Sequence, residues 1–240
     1  MNDNKEKVVK FPMNSHEKFM KDKKCDYKTL AIMTLYSNHT PLEIQHNNAN
    51  YEEYRYLYKN KVIQFTEEIE KLSKTKINTI LRNMKKLSNL SNELVNACKN
   101  ENEQIYYVIN YSNGERCNKY VTIEDEMLRY LVNTGNSNVI KVYILIKYLC
   151  QYELDKYNKK EKKITYNYLL ENIGLSTESE NNKTTIKNII ECLRDGDFIN
   201  TRKAMVGCKT IIYYSINDYD EWKRRRIEKR DNDYKKKPIN

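Results

Sequence analysis

Ile105-Tyr106-Tyr107-Val108-Ile109-Asn110 returns 107 residues later as Ile212-Tyr213-Tyr214-Ser215-Ile216-Asn217. Upstream of the first copy, Ile77, Ile80, Leu81 and Met84 keep the i, i+3, i+4, i+7 spacing of one helix face. Ile186, Ile189, Ile190 and Leu193 keep the same spacing 109 residues on. Leu30 and Met33 stand at that distance before Val139 and Val142, in apolar helical patterns. Helix, helix and strand therefore come twice in one order, that of a helix-turn-helix followed by a hairpin. The fold class expected is α+β, mainly α, with two domains related by internal duplication.

A chain of 240 residues accommodates two units of about a hundred, each large enough for a modest core. Asn113-Gly114-Glu115-Arg116 is a turn signal between a strand and a new apolar pattern, and marks the linker. The expected division is an N-terminal segment 1–24, a first domain 25–112, a linker 113–119, a second domain 120–217 and a basic tail 218–240. Phe11-Pro12-Met13 and Phe19-Met20 are placed against the first domain. Their counterparts before the second are Tyr120-Val121 and the run Met127, Leu128, Leu131, Val132, with Thr122 as N-cap and Gly135 as stop.

The second half is the more legible. Ser137 is read as the cap of a helix whose one face is Val139, Val142, Tyr143, Ile146 and Cys150. Thr165 caps a second helix with Leu169, Leu170 and Ile173, ended by Gly174. Asn181 or Asn182 caps a third. Leu193-Arg194-Asp195-Gly196-Asp197-Phe198-Ile199 then leads through a glycine turn into a strand that runs to about Met205, turns at 206–209 and returns. That junction and ribbon are those of a winged helix, so the two units read as tandem winged helix-turn-helix domains.

If the apolar set of the third helix faces inward, Lys183, Thr184, Lys187 and Asn188 face outward near its N-terminus. Those types suit a major groove: Asn pairs bidentately with adenine, Thr meets a thymine methyl, and Lys reaches guanine or phosphate. Arg202, Lys203 and Lys209 on the ribbon are phosphate-contact candidates. In the first half Thr66 caps a short helix with Ile69 and Leu72, and the next presents Thr75, Asn78, Thr79, Arg82 and Lys86 outward. An additional segment there carries Tyr51, Tyr54, Leu57 and Tyr58 at helical spacing, read as core packing or a dimerisation surface.

The net charge of +10 points to an anionic partner, although Lys, Asn, Ile and Tyr all have AT-rich codons and composition accounts for part of it. Residues 223–237 hold nine Lys or Arg against Glu228, Asp231 and Asp233. There Asp218 or Asp220 caps a helix in which Arg224, Arg225 and Arg226 are expected to meet phosphates without choosing sequence. Six scattered Cys form no CxxC or CxxH spacing, so structural thiols and no metal are expected. His16, His39 and His46 make no metal or catalytic pattern, and no phosphate loop occurs. Binding, without a cofactor, is expected and catalysis is not. The 21 Tyr are assigned to strands more readily than to base stacking. No apolar run approaches the roughly 20 residues of a membrane span, which predicts a cytoplasmic protein without a membrane partner.

Tandem winged helices, the Leu193-x-x-Gly196-x-Phe198-Ile199 junction, the two hexapeptides and the basic end together resemble the plasmid and phage replication initiators of low-GC bacteria, over about residues 8 to 217. The resemblance implies binding of double-stranded DNA repeats at an origin. It implies that both winged helices contact DNA, or that one does while the other forms a homodimer, and that host replication proteins are recruited. A winged-helix transcription regulator and a scaffold that binds no DNA are the other readings the residues leave open.

Overall fold

The computed structural model describes residues 8–23, 25–37, 42–47, 50–58, 77–90, 95–99, 105–110, 120–207 and 209–236. The chain divides into two compact units, Met1–Lys141 with Asn172–Gly174, and Val142–Glu171 with Leu175–Asn240. The division falls inside a long helix, downstream of the expected linker 113–119, which lies outside the described residues. Residues 120–141, expected to open the second domain, belong to the first unit because their strand is hydrogen-bonded to the N-terminal one.

In the first unit, β1 (Val8–Pro12) runs into α1 (Met13–Lys21), and α2 (Tyr27–Ser37) follows. Far along the chain β6 (Tyr120–Glu124) runs into α4 (Asp125–Thr134), and α5 (Ser137–Tyr157) follows. β1 and β6 pair antiparallel about Lys10 and Thr122, which lie 112 positions apart, so Val8 meets Glu124 and Pro12 meets Tyr120. Val9, Phe11, Val121 and Ile123 are buried, as are Met13, Phe19 and Met20 of α1 and Met127, Leu128, Leu131 and Val132 of α4. Thr122 is a strand residue and caps nothing; Glu124 precedes α4 without a side-chain cap. α2 is buried all round through Tyr27, Leu30, Ala31, Ile32, Met33, Leu35 and Tyr36, the mark of a central core helix.

A four-stranded antiparallel sheet, ordered β2-β3-β5-β4, completes this unit: β2 (Leu42–Asn47), β3 (Asn50–Tyr58), β4 (Val95–Lys99) and β5 (Ile105–Asn110). The Tyr51, Tyr54, Leu57, Tyr58 stripe thus belongs to a strand and not a helix. Tyr is a strong strand former, and β3 pairs along Tyr54–Tyr58 with the first hexapeptide, so partner pairing overrides the fortuitous helical spacing. α3 (Ile77–Leu90) buries Met84 and Leu87. The expected short helix at 66–72 lies outside the described residues, as does Thr75.

Asp26 knots this unit together. Its Oδ2 accepts from Thr29 Oγ1 (2.7 Å) and from Asn83 Nδ2 of α3 (2.5 Å), and its Oδ1 from Ser137 Oγ (2.6 Å). Ser137 Oγ in turn accepts the Lys28 N–H at 3.1 Å. Ser137 is therefore not the α5 cap; Asn136 is, its Oδ1 accepting from the N–H groups of Asn138 and Val139. Asp26→Ala leaves three donors without their acceptor and is expected to cost roughly 1–3 kcal/mol, read as a lower urea midpoint.

In the second unit, α5 is followed by β7 (Lys162–Lys163), α6 (Tyr166–Asn172), α7 (Glu180–Asp195), β8 (Ile199–Val206), β9 (Lys209–Ile216) and α8 (Tyr219–Lys236). The sheet order is β7-β9-β8, all antiparallel. α5 is buried more widely than the expected single face: Ile144, Leu145 and Lys147 are covered as well as Val142, Tyr143, Ile146 and Cys150. Thr165 caps α6 by accepting the Tyr168 N–H at 3.2 Å. α6 closes with Leu175 N–H donating to Leu170 O (2.9 Å) across Gly174, whose φ of +79° only glycine adopts without strain.

Burial pushes the Cys25 thiol up to about 12, and the Cys150 thiol likewise to about 12. Cys150 Sγ donates to the Tyr214 carbonyl at 3.4 Å. Cys192 is exposed. In the folded protein near neutral pH, maleimide should label Cys192 while Cys25 and Cys150 react only after denaturation, a difference that peptide mass mapping reads directly.

Candidate nucleic-acid interface

α7 owes its phase to four apolar residues. Ile186, Ile189, Ile190 and Leu193 are buried, which turns Thr184, Lys187 and Asn188 to the exposed side and leaves Lys183 at its margin. The helix begins at Ser179, whose Oγ accepts the Asn182 N–H at 3.4 Å, and not at Asn181 or Asn182 as expected. With the cap two or three residues earlier, Asn181 becomes an exposed first-turn residue, three before Thr184, and joins the same stripe. Ser and Asn cap helices about equally well, so residue type alone does not select Ser179.

Lys183 Nζ lies 2.5 Å from Glu180 Oε1, and that hydrogen bond holds the Glu180 carboxyl below the usual range. Both groups are at the surface, where solvent screens such a pair, so Lys183 exchanges readily to another anion. The exposed acids Glu191 and Asp195 lie in the second half of the helix. The N-terminal half thus carries Lys183 and Lys187 against Glu180, and the C-terminal half Arg194 against Glu191 and Asp195.

The far end of α7 is built by a turn that the sequence assigned to glycine. Phe198 N–H donates to Leu193 O and Asp197 N–H to Arg194 O, both at 2.9 Å. The left-handed residue is Asp197, at φ +58°, not Gly196. Gly196 is required for space: a Cβ there would stand 2.8 Å from the Phe198 ring. Asn217, last residue of the second hexapeptide, donates from Nδ2 to Asp197 O (2.7 Å) and accepts from Asn200 at 2.5 Å. These bonds fix the ribbon to the end of α7.

On the ribbon, Arg202 is not a free cation. Its guanidinium bonds the Glu161 carboxylate at 2.5–3.1 Å and lies 4.5 Å from the Tyr213 ring centroid. Lys203 is exposed. Lys209 pairs in the ladder with Val206; its side chain lies outside the described residues.

In α3, Arg82 and Lys86 are exposed and Thr79 half-buried, while the side chain of Asn78 lies outside the described residues. Lys85, which the sequence reading passed over, is exposed beside Lys86. Asn83 is turned inward by Asp26.

α8 is capped by Asp218, whose Oδ1 accepts the Glu221 N–H. Trp222 is buried, and its Nε1 donates to Gly196 O at 3.0 Å. Arg225 bonds Glu221 and Asn200 Oδ1, and Lys229 reaches Asp195 O and, at 2.6 Å, Asp197 Oδ2. Arg226 lies over the Trp222 ring. Arg224 is exposed and pairs along its own helix with Glu221 and Glu228. Arg225 and Lys229 thus hold the tail to its own unit.

No protein-family model matches the chain, and no curated protein matches its sequence. Among the described residues no group of three or more His, Cys, Asp or Glu is arranged to hold a metal, and no helix is long and apolar enough to cross a membrane.

Proposed function

We propose that the chain is a sequence-specific double-stranded DNA-binding protein, a replication initiator of a plasmid or phage that binds origin repeats. The reading is supported by the second unit, whose order α5-β7-α6-α7-β8-β9 with sheet β7-β9-β8 fits the one expected of a winged helix, and whose α7 presents Asn181, Thr184, Lys187 and Asn188 as one exposed stripe. In the first unit the described elements α2, β3, α3, β4 and β5 follow the order of α5, β7, α7, β8 and β9, with no described counterpart of α6; β3, β5 and β4 are adjacent in the sheet, and β2 is an additional strand. α7 serves as reader in the major groove, α3 as the second reading helix, and Lys203 and Arg224 as phosphate contacts. The protein acts in the cytoplasm, without catalysis, and recruits host replication proteins or a second copy of itself.

Selection of bound fragments from random duplex DNA, followed by sequencing, tests the reading. Recovered sites that match repeats at an origin, with replication lost on their deletion, support it; sites over a promoter without that loss replace it with a transcription regulator, and no recovered DNA at low salt overturns it. On a selected site, Lys187→Ala or Asn188→Ala should weaken binding by roughly 1–3 kcal/mol at unchanged thermal stability. Arg224→Gln with Lys203→Gln should lower the slope of log affinity against log salt by about 2, with specificity retained.

A further inference from the structure

The end of α5 emerges from the second unit. Tyr152, Leu154 and Tyr157 are 44%, 44% and 51% exposed, and Asp155 and Lys156 between them are exposed too. At about 100° per residue Leu154 points nearly opposite to Tyr152, so this last stretch of helix is bare on more than one side. It is nonetheless fixed. Asn158 takes the left-handed position at φ +54° and its N–H donates to Leu154 O at 2.9 Å, while the Lys159 N–H donates to Glu153 O at 3.4 Å, the paired closure of a Schellman turn. Lys156 Nζ donates to Tyr152 Oη at 2.9 Å and lies 5.4 and 5.3 Å from the Tyr152 and Tyr157 ring centroids. Lys159 Nζ lies 5.9 Å from the Tyr157 ring, and the two rings meet edge to face at 6.5 Å. The charge is one-sided: Glu153 is bonded to Lys162 at 2.5 Å, so Lys156, Lys159 and Lys160 stand against the exposed carboxylate of Asp155.

We infer that the end of α5 docks a short acidic segment of a partner protein, one that carries aliphatic side chains between its carboxylates. Leu154 and Tyr157, three positions apart, are neighbours on the helix surface and form the apolar seat. Lys156, Lys159 and Lys160 meet the carboxylates beside it. Tyr is among the residues that concentrate binding energy at protein interfaces, and the fixed turn with its lysine–tyrosine contacts lowers the cost of ordering the site. Duplex DNA matches the patch less well, because its bases are stacked on one another and its phosphates would leave the apolar side chains in water. A single strand offers free bases. The rings, however, already hold ammonium groups, and a base stacking flat on them would displace the cations that its own phosphates need. A carboxylate takes each ammonium where it stands.

The test uses the full chain without duplex DNA and follows the fluorescence anisotropy of a labelled octapeptide of Glu with a central Leu-Leu pair. The comparators are the same peptide with Ser-Ser in the centre and a labelled oligothymidylate. Wild type should bind the Leu peptide at low salt, about tenfold more tightly than the Ser peptide. Leu154→Ser with Tyr157→Ser should abolish that preference, and Lys156→Gln with Lys159→Gln should weaken both peptides about tenfold. All four positions are exposed, so both double variants should melt with wild type. A wild type that ignores the Leu peptide, or binds the two peptides equally, overturns the inference, as does a Leu154, Tyr157 variant that keeps the preference. Oligothymidylate bound more tightly than the Leu peptide, and released by the same double change, replaces the peptide with a single strand. Because no duplex is present, none of these outcomes touches the reading of α7.

Discussion

Trp222→Ala is expected to lower the stability of the second unit by about 3–5 kcal/mol, the largest effect of any single change considered. The indole is only 2% exposed, with ring centroids of Phe198 and Tyr219 each 6.0 Å away. Its removal opens a cavity and strips the Gly196 carbonyl of its donor. Trp222→Phe separates the two contributions, since it keeps most of the ring and loses the N–H; it should cost about 1–2 kcal/mol. Urea unfolding of both variants is the measurement. Equal midpoints for wild type and Trp222→Ala would mean that α8 is not part of the folded unit. The result also governs experiments on the basic tail, because cutting the chain after Tyr219 removes a core residue along with the cations.

Ile189→Ala should cost about 2–5 kcal/mol, while Lys187→Ala, two positions earlier on the exposed side, should stay within about 0.5 kcal/mol of wild type. Ile189 is 4% exposed and sits among Ile186, Ile190 and Leu193 on the buried face of α7. The contrast tests the helical phase on which the candidate interface depends. If Lys187→Ala unfolded the unit and Ile189→Ala did not, the outward stripe would be assigned to the wrong face.

The phase of α7 was legible because four branched residues at helical spacing admit one buried face. The ribbon was legible because a second hexapeptide and Gly207 bracket it. Three features were not. The Tyr51–Tyr58 stripe fits two periods, and only pairing with β5 decides between them. Asp197 takes the left-handed position beside a glycine because Gly196 is needed for the Phe198 ring, and no local rule carries information about that ring. The engagement of Arg202, Arg225 and Lys229 by groups 25 to 41 residues away is invisible to spacing, so cations that composition assigned to DNA hold the second unit to itself.

The β1–β6 ladder bears on how the protein is made. Val8–Pro12 finds its partner strand only when Tyr120–Glu124 exists, and at roughly 5–20 residues per second synthesis of that interval takes on the order of 5–20 s. During that time an apolar strand has left the ribosome without the edge it will cover. Closing so distant a pair also carries the chain-entropy cost that slows folding of non-local sheets. Completion of the first unit is thus timed by the arrival of residues beyond 120, and a nascent chain arrested before them should remain a chaperone client however well α2 and its neighbours have formed.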